Sequence, residues 1–144
     1  MSGVLKISEA ATIAIHAMVY LATLNESELA STKEIDGTYG VSEAHLSKVI
    51  QRLTHTGLVK TFRGPKGGIS LAKPSNKITL LNVYEAIEGP MPTSTCLLGK
   101  SKCGGGCVLG DLVSSVNKQV RTRFSEIKLS DFAAKQTMGL NKLK

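Results

Sequence analysis

The three cysteines of the chain fall within one short segment, and thiolates are the side chains here best suited to metal or redox chemistry. Cys96, Cys103 and Cys107 are separated by six and then three residues, and the chain contains no other cysteine. Scattered buried thiols would not be expected to cluster in this way, so the spacing favours a metal site. Glycines at 99 and 104–106 would let the backbone fold closely around a metal centre without Cβ clashes.

The spacing leaves the identity of the metal open. Cysteine thiolates hold iron–sulfur clusters, but three Cys and one His also make a tetrahedral zinc site, and a metal-free thiol–disulfide switch is a third alternative. Three thiolates are one ligand short of the usual four. An enzyme with Cys103 or Cys107 as nucleophile would need a general base, yet no histidine lies near them in sequence and no cofactor fingerprint is present. We therefore expect no enzymatic activity.

The chain of 144 residues carries a net charge of +7, and this charge is concentrated in its middle third. Residues 1–40 hold two Lys against five acids, whereas residues 41–77 hold seven Lys and Arg against one acid, Glu43. Residues 78–144 hold nine bases and five acids. A basic block within a folded segment is typical of a nucleic-acid-binding surface.

Hydrophobic spacing and capping residues predict the elements that position these groups. We expect helices over residues 9–24, from about 32, over 42–56, over 80–88 and from 111 to about 128, with caps at Ser8, Ser31, Thr79 and Asp111. Residues 58–63 and 69–72 read as two strands joined by a glycine-rich turn, and residues 129–144 as a weakly helical, partly disordered tail. The fold class is mainly α with a small β-hairpin wing, namely a winged helix-turn-helix followed by a long helix.

In such a fold the third helix enters the major groove, which is about 12 Å wide, while the second braces it. The polar face of that helix carries the candidate DNA-contact residues Ser42, His45, Ser47, Lys48 and Arg52. In the hairpin turn Arg63 and Lys66 supply charge for contact with the DNA backbone or minor groove. The long helix has an apolar stripe that predicts a two-fold symmetric homodimer: Leu112, Val113, Val116, Val120, Phe124 and Ile127.

The chain resembles the Rrf-two (Rrf2) superfamily of winged-helix transcriptional regulators, which includes the IscR and NsrR regulators. The resemblance covers about residues 4–127, and its most specific part is the wing from Arg63 to Gly68 with the three-cysteine segment behind it. It implies a dimer that binds double-stranded DNA at a palindromic operator. It also implies that Cys96, Cys103 and Cys107 hold an iron–sulfur cluster, of 2Fe–2S or 4Fe–4S type, that senses iron, oxygen, nitric oxide or redox state.

The resemblance does not supply the fourth ligand directly. The histidine that follows the third cysteine in IscR-like members is missing here, and Thr12 stands where NsrR-like members carry an acid. His16, one helical turn later, matches a position that supplies histidine in a redox-sensing branch, and Glu9 and Asp111 are weaker candidates.

The chain is predicted to have two functional parts. We expect residues 1–78 to bind DNA and residues 79–144 to sense and dimerise, in a cytoplasmic protein without a membrane span.

Overall fold

Six α-helices and one β-hairpin make up the computed structural model, which describes residues 5–91 and 109–142. The chain order is α1 (Glu9–Ala22), α2 (Thr32–Tyr39), α3 (Glu43–His55), β1 (Val59–Phe62), β2 (Gly68–Leu71), a short 3-10 turn (Ser75–Lys77), α4 (Leu80–Glu88), α5 (Gly110–Glu126) and α6 (Leu129–Lys142). The predicted mainly helical fold with a hairpin wing is confirmed. None of the helices in the described part of the chain combines the length and hydropathy that a bilayer crossing needs.

Side-chain caps fix the beginnings of three helices, as predicted. The Ser8 hydroxyl accepts the Ala11 N–H at 3.1 Å at the start of α1. Ser31 with Glu34 begins α2, and Thr79 with Asn82 begins α4, each pair forming a reciprocal capping box. Each cap satisfies donors that the first helical turn leaves without an intrahelical partner. The turn between α2 and α3 follows from Gly40, whose φ of 65° suits glycine.

The core is aliphatic and lies between α1, α3 and α4. Four apolar side chains of α3 face inward and are at most 5% exposed: Leu46, Val49, Ile50 and Leu53. They pack in one cluster with α1, whose fully buried Ala11, Ala14 and Ala17 offer a surface of small side chains. This cluster also includes Val83 and Ile87 of α4. Burying each large aliphatic side chain stabilises the fold by about 1.5–3 kcal/mol. The packing of its buried face against the core therefore fixes the position of α3.

The wing is an antiparallel hairpin in which Val59 pairs with Leu71 and Phe62 with Gly68. Ala30, just before α2, adds a further bridge, because Ala30 and Ile69 exchange two backbone hydrogen bonds of 3.0 and 2.8 Å. Val59 and Ile69 are buried below the hairpin. The wing is therefore attached both to the core and to the helix-turn-helix.

The C-terminal half differs from the prediction in two places. Asp111 is not the cap of α5, because the helix begins at Gly110 after Leu109 and Asp111 lies in its first turn. The tail is not disordered over the described residues, since residues 129–142 form α6. Leu129 is fully buried, and its N–H donates to the Ile78 carbonyl at 2.9 Å, while the Leu80 N–H donates to Ile127 at 2.8 Å. These non-local contacts order a segment whose own sequence pattern is weak. The functional division at residue 78 stays a prediction.

Candidate nucleic-acid interface

Helix α3 presents a polar face to solvent. Its inner positions are buried in the core, and the alternating polar positions are exposed on the opposite side. Ser42 stands at its N-cap, is exposed, and makes no side-chain capping hydrogen bond. The Ser42 hydroxyl and the first backbone N–H groups of α3 thus lie together at the positive end of the helix dipole, which favours contact with phosphate.

A cleft joins the polar face of α3 to the first strand of the wing. Its volume is about 490 Å³, and its lining includes Ser47, Lys48 and Gln51 from α3 with Thr61 and Arg63 from the hairpin. Two of the predicted DNA-contact cations, Lys48 and Arg63, are therefore brought to one surface although 15 positions separate them in sequence. The structure thereby combines a helix that fits a major groove with a strand that carries charge to its edge.

The tip of the wing is a tight turn built on glycine. The Gly67 N–H donates to the Gly64 carbonyl at 2.9 Å, and Gly64 has a φ of 105°, a conformation that other residues rarely adopt. A Cβ added at Gly67 would collide with the Phe62 carbonyl oxygen. Lys66 is exposed within this turn, and Arg63 precedes it. The turn therefore holds two cations close together on a backbone with little freedom to change.

His45 and Arg52 of α3 each contact a neighbouring helix. The His45 Nδ1 is 4.0 Å from the Glu9 carboxylate, which links α3 to the start of α1. The Arg52 guanidinium donates to the Ile87 carbonyl of α4 at 3.1 Å. Both side chains line a second cleft, between α1 and α3, that Lys48 also borders. Their contact with DNA stays a prediction, but in this structure the guanidinium of Arg52 joins α3 to the end of α4.

Gln51 belongs to the interface cleft but was not among the predicted contact residues. It is exposed, and it stands four positions after Ser47 and three after Lys48, so it shares their face of the helix. An amide can also read base edges in the major groove. The helical spacing alone would have identified it.

His16, the predicted ligand, is exposed on α1. Its Nδ1 lies 2.7 Å from the Thr12 carbonyl oxygen, and its ring meets Tyr39 edge-on with the centroids 5.0 Å apart. An Nδ1–H donated to this carbonyl leaves Nε2 with the lone pair that a metal ligand needs, and this arrangement is usual for metal-bound histidine.

The predicted cysteine ligands, Cys96, Cys103 and Cys107, lie outside the described residues. Within residues 5–91 and 109–142, no group of three or more His, Cys, Asp or Glu side chains is arranged to hold a metal ion. Glu9 faces His45, and Asp111 is exposed in the first turn of α5.

Comparison with known proteins agrees with this architecture. The family model described as Rrf2, iron-dependent transcriptional regulator, matches residues 7–135. The structure is similar to CymR, the global cysteine regulator of B. subtilis, with 27% identity and a TM-score of 0.78 over 90% of this chain and 97% of that one. It is similar to IscR of T. potens, with 26% identity and a TM-score of 0.76 over 92% and 89% of the two chains.

S. aureus CymR, at 23% identity and a TM-score of 0.74 over 88% of this chain and 96% of that one, shares the fold. The matched family consists of transcriptional regulators rather than enzymes, in line with the expectation from the sequence. Because the family model covers most of the chain, this protein belongs to the Rrf2 family of DNA-binding transcriptional regulators.

Proposed function

We propose that this regulator binds its operator as a homodimer and that an iron–sulfur cluster held by Cys96, Cys103 and Cys107 controls the binding. DNA contact is assigned to Ser42, Ser47, Lys48 and Gln51 of α3 and to Arg63 and Lys66 of the wing. The observation that carries the DNA part is the cleft in which Lys48 and Arg63 line one surface. Cations on one surface attract the phosphate backbone, and the polar side chains of the same cleft supply hydrogen-bonding groups for base edges.

The homodimer is supported by the apolar surface of α5. Leu109, Leu112 and Val116 are 45%, 60% and 45% exposed, and they follow one another at helical spacing. The second half of the predicted stripe packs inside the chain instead, because Phe124 is buried against Tyr84 of α4 and Val120 and Ile127 pack in the same cluster. Two copies related by a two-fold axis would cover this stripe with the same stripe of the partner. The two recognition helices would then read half-sites about one DNA turn apart, which fits a palindromic operator.

The cluster is supported by the donor set and by the geometry of His16. A site with three thiolates needs a fourth ligand. The Nδ1 of His16 contacts the Thr12 carbonyl, so its Nε2 is available as that ligand. If this histidine comes from the partner subunit, loss of the cluster would disturb the contact between the two subunits. That disturbance would change the spacing of the recognition helices and hence the affinity for DNA.

Anaerobic purification tests the cofactor. We expect visible absorbance with matched iron and sulfide, and loss of both in the Cys103→Ser variant. Colourless protein that contains zinc would contradict the cluster and indicate a structural zinc site. Metal-free protein with a reversible disulfide would indicate a thiol switch instead.

Operator affinity of the loaded and the cluster-free protein at one fixed salt concentration tests the sensor. We expect the two affinities to differ, and equal affinities would rule the sensor out. His16→Ala should change the cluster spectrum if the ring is a ligand, whereas His55→Ala, which removes an exposed histidine at the end of α3, serves as the matched control.

A further inference from the structure

Phe62 is a large apolar side chain that the described structure leaves half uncovered. It is 50% exposed at the end of β1, next to Arg63. The described residues contain five other exposed large hydrophobic side chains, and three of these lie at or on α5, where the proposed dimer would cover them: Leu109, Leu112 and Val116. Phe62 is the one aromatic ring in this set, and neither the core nor the dimer accounts for it.

The register of the hairpin places Phe62 on the outer face of the wing, away from α3. Thr61 and Arg63 line the cleft with α3, and side chains alternate along a strand, so Phe62 projects from the opposite face. Its cross-strand partner is Gly68, which has no side chain to cover the ring. This pair is also the last one before the turn, so the ring stands at the base of the wing tip.

The residues around the ring indicate what it meets. Lys60, Arg63 and Lys66 are all exposed within four positions of Phe62, and no acidic residue lies between Glu43 and Glu85. The apolar part is small, because the neighbouring Leu29, which packs by Gly68, is only 36% exposed. A stable protein interface needs a larger apolar centre than one ring and one partly covered leucine. An exposed ring on a hairpin that also carries three exposed cations instead fits DNA, whose deoxyribose and base surfaces are apolar between charged phosphates.

We infer that Phe62 is an additional DNA-contact residue, which packs against deoxyribose or a base step in the minor groove while Arg63 and Lys66 meet the flanking phosphates. The inference rests on the proposed interface of α3 and wing. The ring supplies apolar contact that carries no charge, so its contribution to affinity is independent of salt, in contrast to that of the cations. The tight turn that contains Gly67 fixes the backbone from which the ring and the cations project.

The test measures affinity against salt concentration with a duplex selected by the wild-type protein from a random-sequence pool. Phe62→Ala should weaken binding about 5- to 10-fold, as expected when roughly half of a Phe side chain loses its apolar contact. The slope of log affinity against log salt should stay unchanged. Phe62→Leu should restore part of the loss, and thermal unfolding should show that both variants are folded at the temperature of the assay, because only half of the ring is buried.

A second measurement uses the absence of tryptophan from the chain. Phe62→Trp places the sole tryptophan at the wing, and its emission should be quenched when the selected duplex is added. Thr122→Trp, at an exposed position late in α5, should show no such change.

Unchanged affinity of Phe62→Ala together with unquenched emission would overturn the inference, and would leave Phe62 to a protein partner. A slope that flattens by a whole phosphate contact would also overturn it, since the substitution would then act through a displaced cation. The proposed interface has its own separate readout, because Lys48→Gln must flatten the slope whether or not Phe62 contacts DNA.

Discussion

Lys48 and Arg52 lie one helical turn apart on α3 and carry the same charge, yet the structure gives them different contacts. Lys48 borders the cleft that contains Arg63, whereas the Arg52 guanidinium donates to the Ile87 carbonyl at 3.1 Å. We therefore expect Lys48→Gln to act on DNA binding and Arg52→Gln to act on stability. The two substitutions remove one charge each, so they are matched controls for one another.

The magnitudes differ enough to be measured. Loss of one phosphate contact flattens the slope of log affinity against log salt by about 0.9. When the salt concentration rises fourfold, the affinity of the wild type should therefore fall by a factor about 3.5 times larger than that of the Lys48→Gln variant. Its free energy of unfolding should change by less than about 0.5 kcal/mol, as for most exposed positions. Arg52→Gln should lower the free energy of unfolding by about 1 kcal/mol, the usual contribution of a partly exposed hydrogen bond.

Fluorescence anisotropy with a labelled duplex gives the salt slopes, and urea unfolding gives the stabilities. An Arg52→Gln variant with wild-type stability and a slope flattened as much as that of Lys48→Gln would refute the reasoning. It would mean that the guanidinium leaves Ile87 and binds phosphate in the complex. An unchanged slope for Lys48→Gln would remove that side chain from the phosphate contacts.

Three further outcomes follow from the packing. Gly67→Ala should lower the free energy of unfolding by about 1–3 kcal/mol and weaken DNA binding, because its Cβ would collide with the Phe62 carbonyl. Gly37→Ala, in the exposed part of α2 with open space around it, should instead raise the free energy of unfolding in urea by up to about 1 kcal/mol. Leu129→Ala should lower the free energy of unfolding by about 2–5 kcal/mol, since the side chain is fully buried; a loss below 1 kcal/mol would show that α6 contributes little to the core. Leu112→Glu should convert the proposed dimer to monomer in sedimentation experiments, and a dimer that persists would place the interface elsewhere.

The sequence was sufficient where local chemistry decides the structure. The capping boxes at Ser31 and Thr79 mark helix starts because the capping side chain and its target lie three residues apart. The glycine-rich turn after Arg63 marked the wing for the same reason, since its hydrogen bond joins Gly64 and Gly67. The family resemblance of this region was confirmed by the match over residues 7–135.

The sequence was insufficient where distant residues decide. Helix α5 begins without a capping side chain, so the nearest polar residue, Asp111, was a misleading signal. Helix α6 depends on burial of Leu129 and on backbone bonds to the segment before α4, and neither is visible in a local pattern. The position of Arg52 on α3 allowed a contact with DNA or with α4, and only the packing of α4 against α3 brings the Ile87 carbonyl within reach.

The two backbone hydrogen bonds between residues 78–80 and 127–129 affect how freely the length of the segment between them can vary. They join the start of α4 to the start of α6, so the stretch between residues 80 and 127, in which the cysteines lie, leaves and re-enters the fold at one place. The entropy cost of closing a loop grows only with the logarithm of its length, at about 0.6 kcal/mol for each doubling. By this relation, a change of a few residues in the length of the enclosed segment should cost little free energy of folding. The cysteines are separated by six and then three residues. The DNA-binding part of the protein should therefore tolerate a change in these two numbers.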